Sequence, residues 1–242
     1  MTKQESTLAP ADRTGDTRAV KNSAATPQRV PATRRAPSRT DLRMRWLKPL
    51  VFLFGLYPLM RLVTLGFTDG LTANPVQFIQ YSTGTWSLVW ICITLAVTPA
   101  RHLTGWTWLL RLRRMIGLFA FFYALLHLIT YVWFDEFFDL SSMVRDVVQR
   151  PFILVGFVSF VILLVLAATS PKAVVRQLGR RWLTLHRAVY AAAGFAVLHF
   201  WWMKAGKNDL SQPKIYLIVV AVLLLFRVGW ALMHRTPGAR RP

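Results

Sequence analysis

Three histidines stand where a histidine is expensive. Residues 113–134, RRMIGLFAFFYALLHLITYVWF, open on a basic pair and then run twenty residues without a formal charge, with His127 inside the run. Residues 180–204, RRWLTLHRAVYAAAGFAVLHFWWMK, carry His186 and His199. A polar ring inside a membrane helix is costly enough to mark a functional site by default. Neutral imidazole is a common ligand for haem iron. The competing reading is a packing role, in which each ring merely hydrogen-bonds across a helix contact.

Depth separates the three. His127 lies thirteen residues past Arg114, which at about 1.5 Å per helical residue places it about 20 Å from the end marked by the basic pair. His199 lies eighteen residues past Arg181, so it also falls in the far half of its helix. Two antiparallel helices would therefore offer one imidazole each at similar depth, which suits a bis-histidine haem standing between them. His186 is thirteen residues before His199, about 20 Å away and about 140° around an ideal helix. The third span offers only Arg113 or Arg114 at that level. His186 is thus open to a second haem with an unusual partner, a flavin or quinone contact, haem propionates, or simple packing. His102 and His234 fall at span edges and read as surface residues. The single cysteine, Cys92, lies in an apolar run and reads as packing.

The elements that must hold these rings are membrane helices. Hydrophobic residues make up 54% of the 242, mean hydropathy is +0.38, and apolar runs of spanning length recur. The expected fold is an all-α integral membrane protein, a six-helix transmembrane bundle. Its spans are expected at 46–67, within 71–100 with the helix starting near Gln80, and at 114–134, 151–170, 181–203 and 213–233. Asn74 and Pro75 mark the entry to the second and Pro99 its exit, while Pro151 suits the first turn of the fourth. Residues 1–45 are rich in Thr, Ala, Pro and Arg without apolar periodicity, so they are expected to be a disordered tail with no cleavable signal. Residues 46–234 form the helical domain and 235–242 a short second tail.

The net charge of +20 does not point to nucleic acid, because the basic residues gather in the tail and at the ends of apolar runs. On one side of the expected bundle stand 22 Lys and Arg, against 5 on the other. The excess places both termini in the cytoplasm. The acids Asp135, Glu136, Asp139 and Asp146 cluster in the third, outer loop and read as a solvated loop, with a docking surface for a soluble partner as the alternative. No Walker, Rossmann, zinc-site or Ser-His-Asp pattern occurs.

At the segments NPVQFIQYSTG (74–84), ITLAVTPAR (93–101), RLRRMIGLFAFFYALLHLITY (111–131), RPFILVGFVSFVILLVLAATS (150–170) and LGRRWLTLHRAVYAAAGFAVLHFWW (178–202), the chain resembles the MsrQ (YedZ) family. More broadly it is similar to ferric-reductase-like transmembrane domains. The resemblance covers about residues 46–234 and leaves out the basic tail. It implies a haem-binding subunit in the bacterial inner membrane that draws electrons from the respiratory quinone pool. Those electrons pass through b-type haem, with FMN also reported for the family. They go to MsrP, a periplasmic molybdopterin enzyme that reduces methionine sulfoxide in oxidised proteins. The family's haem histidines fall on His127, His186 and His199, which leaves one haem or two.

Only nine residues follow Met233, too few for an appended nicotinamide and flavin domain, so electrons are expected from a lipid-soluble donor or a separate protein. The chain shows no substrate-oxidising site of its own, so the terminal chemistry is expected on a partner. Two other readings compete: a ferric or cupric reductase whose outer acids gather cations, and a cofactor-free transporter or scaffold.

Overall fold

The computed structural model describes residues 39–68, 70–206 and 208–234, and every regular element among them is helical. The elements are α1 (Arg39–Phe67), α2 (Pro75–Thr104), α3 (Leu110–Thr130), α4 (Leu140–Gln149), α5 (Pro151–Ala168), α6 (Lys172–Leu178), α7 (Arg180–Leu185), α8 (Val189–Ala205) and α9 (Ser211–Met233). Most of the N-terminal tail and all of residues 235–242 lie outside the described residues. The helix α1 begins at Arg39, ahead of the expected first span, because RTDLRMR contains good helix formers that hydropathy alone does not register.

Five helical runs among the described residues are long and apolar enough to cross a membrane: Met44–Phe67, Pro75–Thr104, Thr107–Asp135, Pro151–Ala168 and Ser211–Met233. The expected span at 181–203, the fifth in chain order, is not a single regular helix. It is divided into α7, a 3-10 turn at His186–Ala188, and the seventeen-residue α8. Large apolar side chains point outward on α1, α5 and α9, among them Phe54, Phe157 and Leu225. Such an exposed apolar belt is what a lipid-facing surface requires.

Local signals account for the helix ends. The Asn74 side chain accepts a hydrogen bond from Gln77 N–H, and Pro75 occupies the first turn, so α2 starts there and not near Gln80. Pro99 does not close α2. It sits inside the helix, which runs on to Thr104 and stops at Gly105 in the left-handed conformation (φ 72°). Pro151 opens α5 as expected.

The buried core forms around α2, which packs on α3, α8, α9 and α1. Trp90, Ile91 and Leu95 of α2 are almost wholly enclosed, as are Tyr123 of α3 and Ala192 and Ala193 of α8. Arg227, deep in α9, donates to Tyr190 Oη of α8 and to Leu95 O and Thr98 Oγ1 of α2. These bonds tie the last helix to two others through a group that lipid would not tolerate unpaired.

One hydroxyl of α3 bonds to the backbone of α1. Tyr123 Oη donates to Gly55 O at 2.7 Å and accepts from Leu59 N–H at 3.2 Å, beside the buried Pro58. Proline has no N–H to give the preceding turn. The absence of a side chain at Gly55 lets the Phe119 ring lie directly against the α1 backbone.

The loop between α3 and α5 contains more structure than the sequence suggests. A π turn spans Tyr131–Asp135, and α4 is amphipathic, with Leu140, Val144 and Val148 exposed on one face. Each of the four acids has a local partner. Asp135 accepts from Gln80 Nε2, Glu136 from Tyr131 Oη at 3.2 Å, and Asp146 pairs with Arg150 at 3.3 Å. Asp139 caps α4 by accepting from the N–H groups of Ser141 and Ser142.

Two outcomes follow from these contacts. Tyr123→Phe is expected to destabilise the bundle by about 1 kcal/mol, the usual worth of such bonds, read as a lower melting temperature in detergent. An unchanged melting temperature would remove the hydroxyl from this role. The bonds from Ser141 and Ser142 hold the Asp139 carboxyl below its ordinary value, so the cap is intact above the unfolded-state value and is lost as pH falls through the folded one. Once corrected for the intrinsic pH dependence of amide exchange, protection in the first turn of α4 should therefore begin to fall as pH drops below about 3.9, and an unchanged protection factor would contradict it.

Candidate functional site

The imidazoles of His127 and His199 are each seated on a neighbouring helix by a backbone carbonyl. His127 Nδ1 lies 3.0 Å from Gln80 O of α2, and His199 Nδ1 lies 2.6 Å from Phe152 O of α5. A helical carbonyl has two lone pairs, so it can serve its own helix and accept a second bond. A carbonyl oxygen only accepts, so the proton of each ring must sit on Nδ1. The lone pair is left on Nε2, which has no hydrogen-bond partner among the described residues. One turn along each helix from the carbonyl stands a glycine, Gly84 on α2 and Gly156 on α5, where the ring fills the space that a side chain would take.

The two rings face each other across the bundle with centroids 6.2 Å apart and planes crossed at 73°. This is the separation of two imidazoles that share one metal. Metal–nitrogen bonds of about 2.0 Å and ring centres about 1.1 Å behind each Nε2 bring the total to about 6 Å. No group of three or more His, Cys, Asp or Glu that could hold a bare metal ion occurs among the described residues. Two neutral nitrogens without a carboxylate or thiolate suit a metal whose other positions are filled by a macrocycle, and that is the donor set of a six-coordinate haem.

The arrangement is built twice. Gly84, Ser87, Ala120 and His127 each recur 72 residues later, as Gly156, Ser159, Ala192 and His199, and the carbonyl of Gln80 is matched at the same offset by that of Phe152. Ser87 Oγ donates to Ala120 O at 3.0 Å, and Ser159 Oγ donates to Ala192 O at 2.9 Å. The hairpin of α2 and α3 is thus repeated by that of α5 and α8. Sequence reading by hydropathy missed the repeat, although setting the chain against itself at an offset of 72 also matches Pro99 with Pro171 and Ala124 with Ala196. The serines, glycines and carbonyls were not picked out because none is chemically conspicuous in isolation.

His186 does not join the pair. It lies on the 3-10 turn that divides α7 from α8, its Nδ1 is 3.2 Å from Trp182 O, and its ring stacks on Trp182 at 3.9 Å. Trp182 is itself anchored by its Nε1–H to Thr169 O at 3.0 Å. The repeat places Arg114 opposite His186, so the first hairpin supplies no second imidazole at that level. His102 and His234 both stack on Trp230 near the ends of their helices, in keeping with an edge position.

Helical hairpins that present paired imidazoles inside an apolar bundle define a class of multi-pass membrane protein. In agreement with this, residues 83–197 match the family described as ferric reductase like transmembrane component. Three relatives share the name protein-methionine-sulfoxide reductase heme-binding subunit MsrQ. That of Herminiimonas arsenicoxydans is 54% identical over 201 residues, 83% of this chain and 91% of the relative. That of Bordetella pertussis is 54% identical over 212 residues, 88% and 98%. That of Rhodospirillum rubrum is 43% identical over 189 residues, 78% and 90%. The chain belongs to the MsrQ family.

Proposed function

We propose that this chain is the transmembrane electron-transfer subunit of a methionine sulfoxide reductase system in the bacterial inner membrane. In this reading it takes electrons from the quinol pool and delivers them to a periplasmic molybdopterin reductase of the MsrP type, which repairs oxidised proteins. The observation that carries the proposal is the 6.2 Å spacing of two crossed imidazoles whose Nε2 atoms are left unpartnered. The relatives' names support it, since each is a heme-binding subunit of that reductase system.

His127 and His199 would be the axial ligands of b-type haem. A haem held by two histidines supplies a one-electron carrier with no open position for oxygen. The residues do the rest. Gln80 O and Phe152 O fix the tautomer, and the aliphatic and aromatic side chains of α3, α5 and α8 exclude water. The run of α7, the 3-10 turn and α8 is read as one span, the fifth of six in chain order, with both termini in the cytoplasm as the charge distribution favours. His186, on the cytoplasmic side in that orientation, is assigned a role toward the electron donor or a second haem. FMN enters the reading through the family resemblance alone. The catalytic site for the sulfoxide would lie on the partner.

An absorption spectrum of the detergent-purified protein, with haem quantitation, tests this. A shifted Soret band and sharp α and β bands on reduction are expected, and a colourless protein that cannot be reconstituted would sink the proposal. His127→Ala and His199→Ala are each expected to abolish the six-coordinate spectrum, whereas His186→Ala should keep it. Retention of that spectrum in both of the first two variants would remove the ligand assignment. Reduction of free ferric or cupric ions at full rate without any partner protein would favour the metal-reductase alternative instead.

A further inference from the structure

We propose that Gly84 and Gly156 are positioning residues that set the angle and hydrogen bonding of the two imidazoles, and through them the electronic state of the metal the imidazoles would share. The inference rests on the haem reading above and concerns residues that reading does not need.

Each glycine is the floor on which a ring lies. A Cβ at Gly84 would stand 3.1 Å from both Cε1 and Nδ1 of His127. One at Gly156 would stand 2.6 Å from Nδ1 and 2.9 Å from Cε1 of His199. Comfortable contact between such atoms is about 3.5 Å or more. His127 would have to turn by a few tenths of an ångström, while His199 would have to leave its carbonyl. Other glycines in the same hairpins face no such contact. A Cβ at Gly117 of α3 meets Thr94 at an ordinary 3.7 Å, and one at Gly194 of α8 meets nothing within 4 Å.

A helix-interior glycine is less favourable than alanine. The repeat nevertheless places glycine at the same point of both hairpins, four residues after the carbonyl that binds Nδ1. The coincidence of carbonyl, glycine and ring in two copies separates this role from loose packing. The absence of a side chain lets the ring approach until Nδ1–H reaches the carbonyl. That bond raises the basicity of Nε2, the effect expected of an outer partner on a metal-bound histidine. It also stops the ring turning, so the 73° crossing of the planes is inherited from the two helix seats.

The test compares the full-length wild type with Gly84→Ala, Gly156→Ala and the control Gly194→Ala, each purified with haem. Two properties are read: the low-spin ferric electron paramagnetic resonance spectrum and the haem midpoint potential. Crossed rings give a highly anisotropic low-spin signal, and rings brought toward coplanarity give an ordinary rhombic one. Gly84→Ala is expected to keep its haem with altered anisotropy. Gly156→Ala is expected to lose the Phe152 bond and shift to a higher midpoint potential, or to lose six-coordination. Gly194→Ala should match the wild type in both.

The milder Gly84→Ala decides the matter if Gly156→Ala does not fold, as judged by size-exclusion chromatography. A Gly84→Ala spectrum and potential equal to those of Gly194→Ala would overturn the proposal while leaving the haem reading intact. A wild type without any low-spin haem signal would instead overturn the haem reading, and this proposal with it.

Discussion

The structure depends on a bond from an imidazole Nδ1–H to the backbone carbonyl of an adjacent helix. Hydropathy holds helices together only weakly in lipid, where the tails are as apolar as the side chains. Specific bonds between helices therefore decide which faces meet. Here His127 grips α2 at Gln80 and His199 grips α5 at Phe152, while Ser87 and Ser159 tie the same helix pairs again further along. The residues that would hold a cofactor thus also set the rotation of the helices that carry them.

The same bonds fix the tautomer of each ring. Burying a ring nitrogen without a partner would cost free energy, and a carbonyl already used by its own helix is a cheap acceptor because its second lone pair is spare. Its use fixes the proton on Nδ1 and leaves the lone pair on Nε2. Crossed planes at 73° follow because each ring takes its direction from a different helix. Arg227 and Tyr123 apply the same principle elsewhere, each satisfying backbone or hydroxyl groups on neighbouring helices.

Part of the site is legible from spacing. His127 and His199 could be matched by depth because rise per residue is fixed in a helix, and the structure brings them together. His186 could be set apart by the same arithmetic. Pro151 was readable as a helix start, since a first-turn proline acts within one turn. Asn74 with Pro75 was readable only as the entry to its span, with the helix expected nearer Gln80. Pro99 misled, because a proline near a helix end can be accommodated when its surroundings are packed, and it is buried against the core. The amphipathic α4 was overlooked because its ten residues carry charges and sit among acids, which reads as loop. The 3-10 turn at His186–Ala188 left no hydropathy signal at all.

The sequence by itself determined that this chain is a bundle of apolar helices with two histidines at one depth. In lipid every backbone group must be bonded within its own segment, so local composition suffices to specify a spanning helix. Only the tertiary structure decided which face each histidine presents, that Gln80 and Phe152 receive them, and that glycines lie beneath the rings. Those facts depend on how one helix is rotated against another, and that rotation is set by contacts between residues 47 apart in the chain. Even the repeat, though written in the sequence, acquires meaning only when its two copies are seen to bring their histidines together.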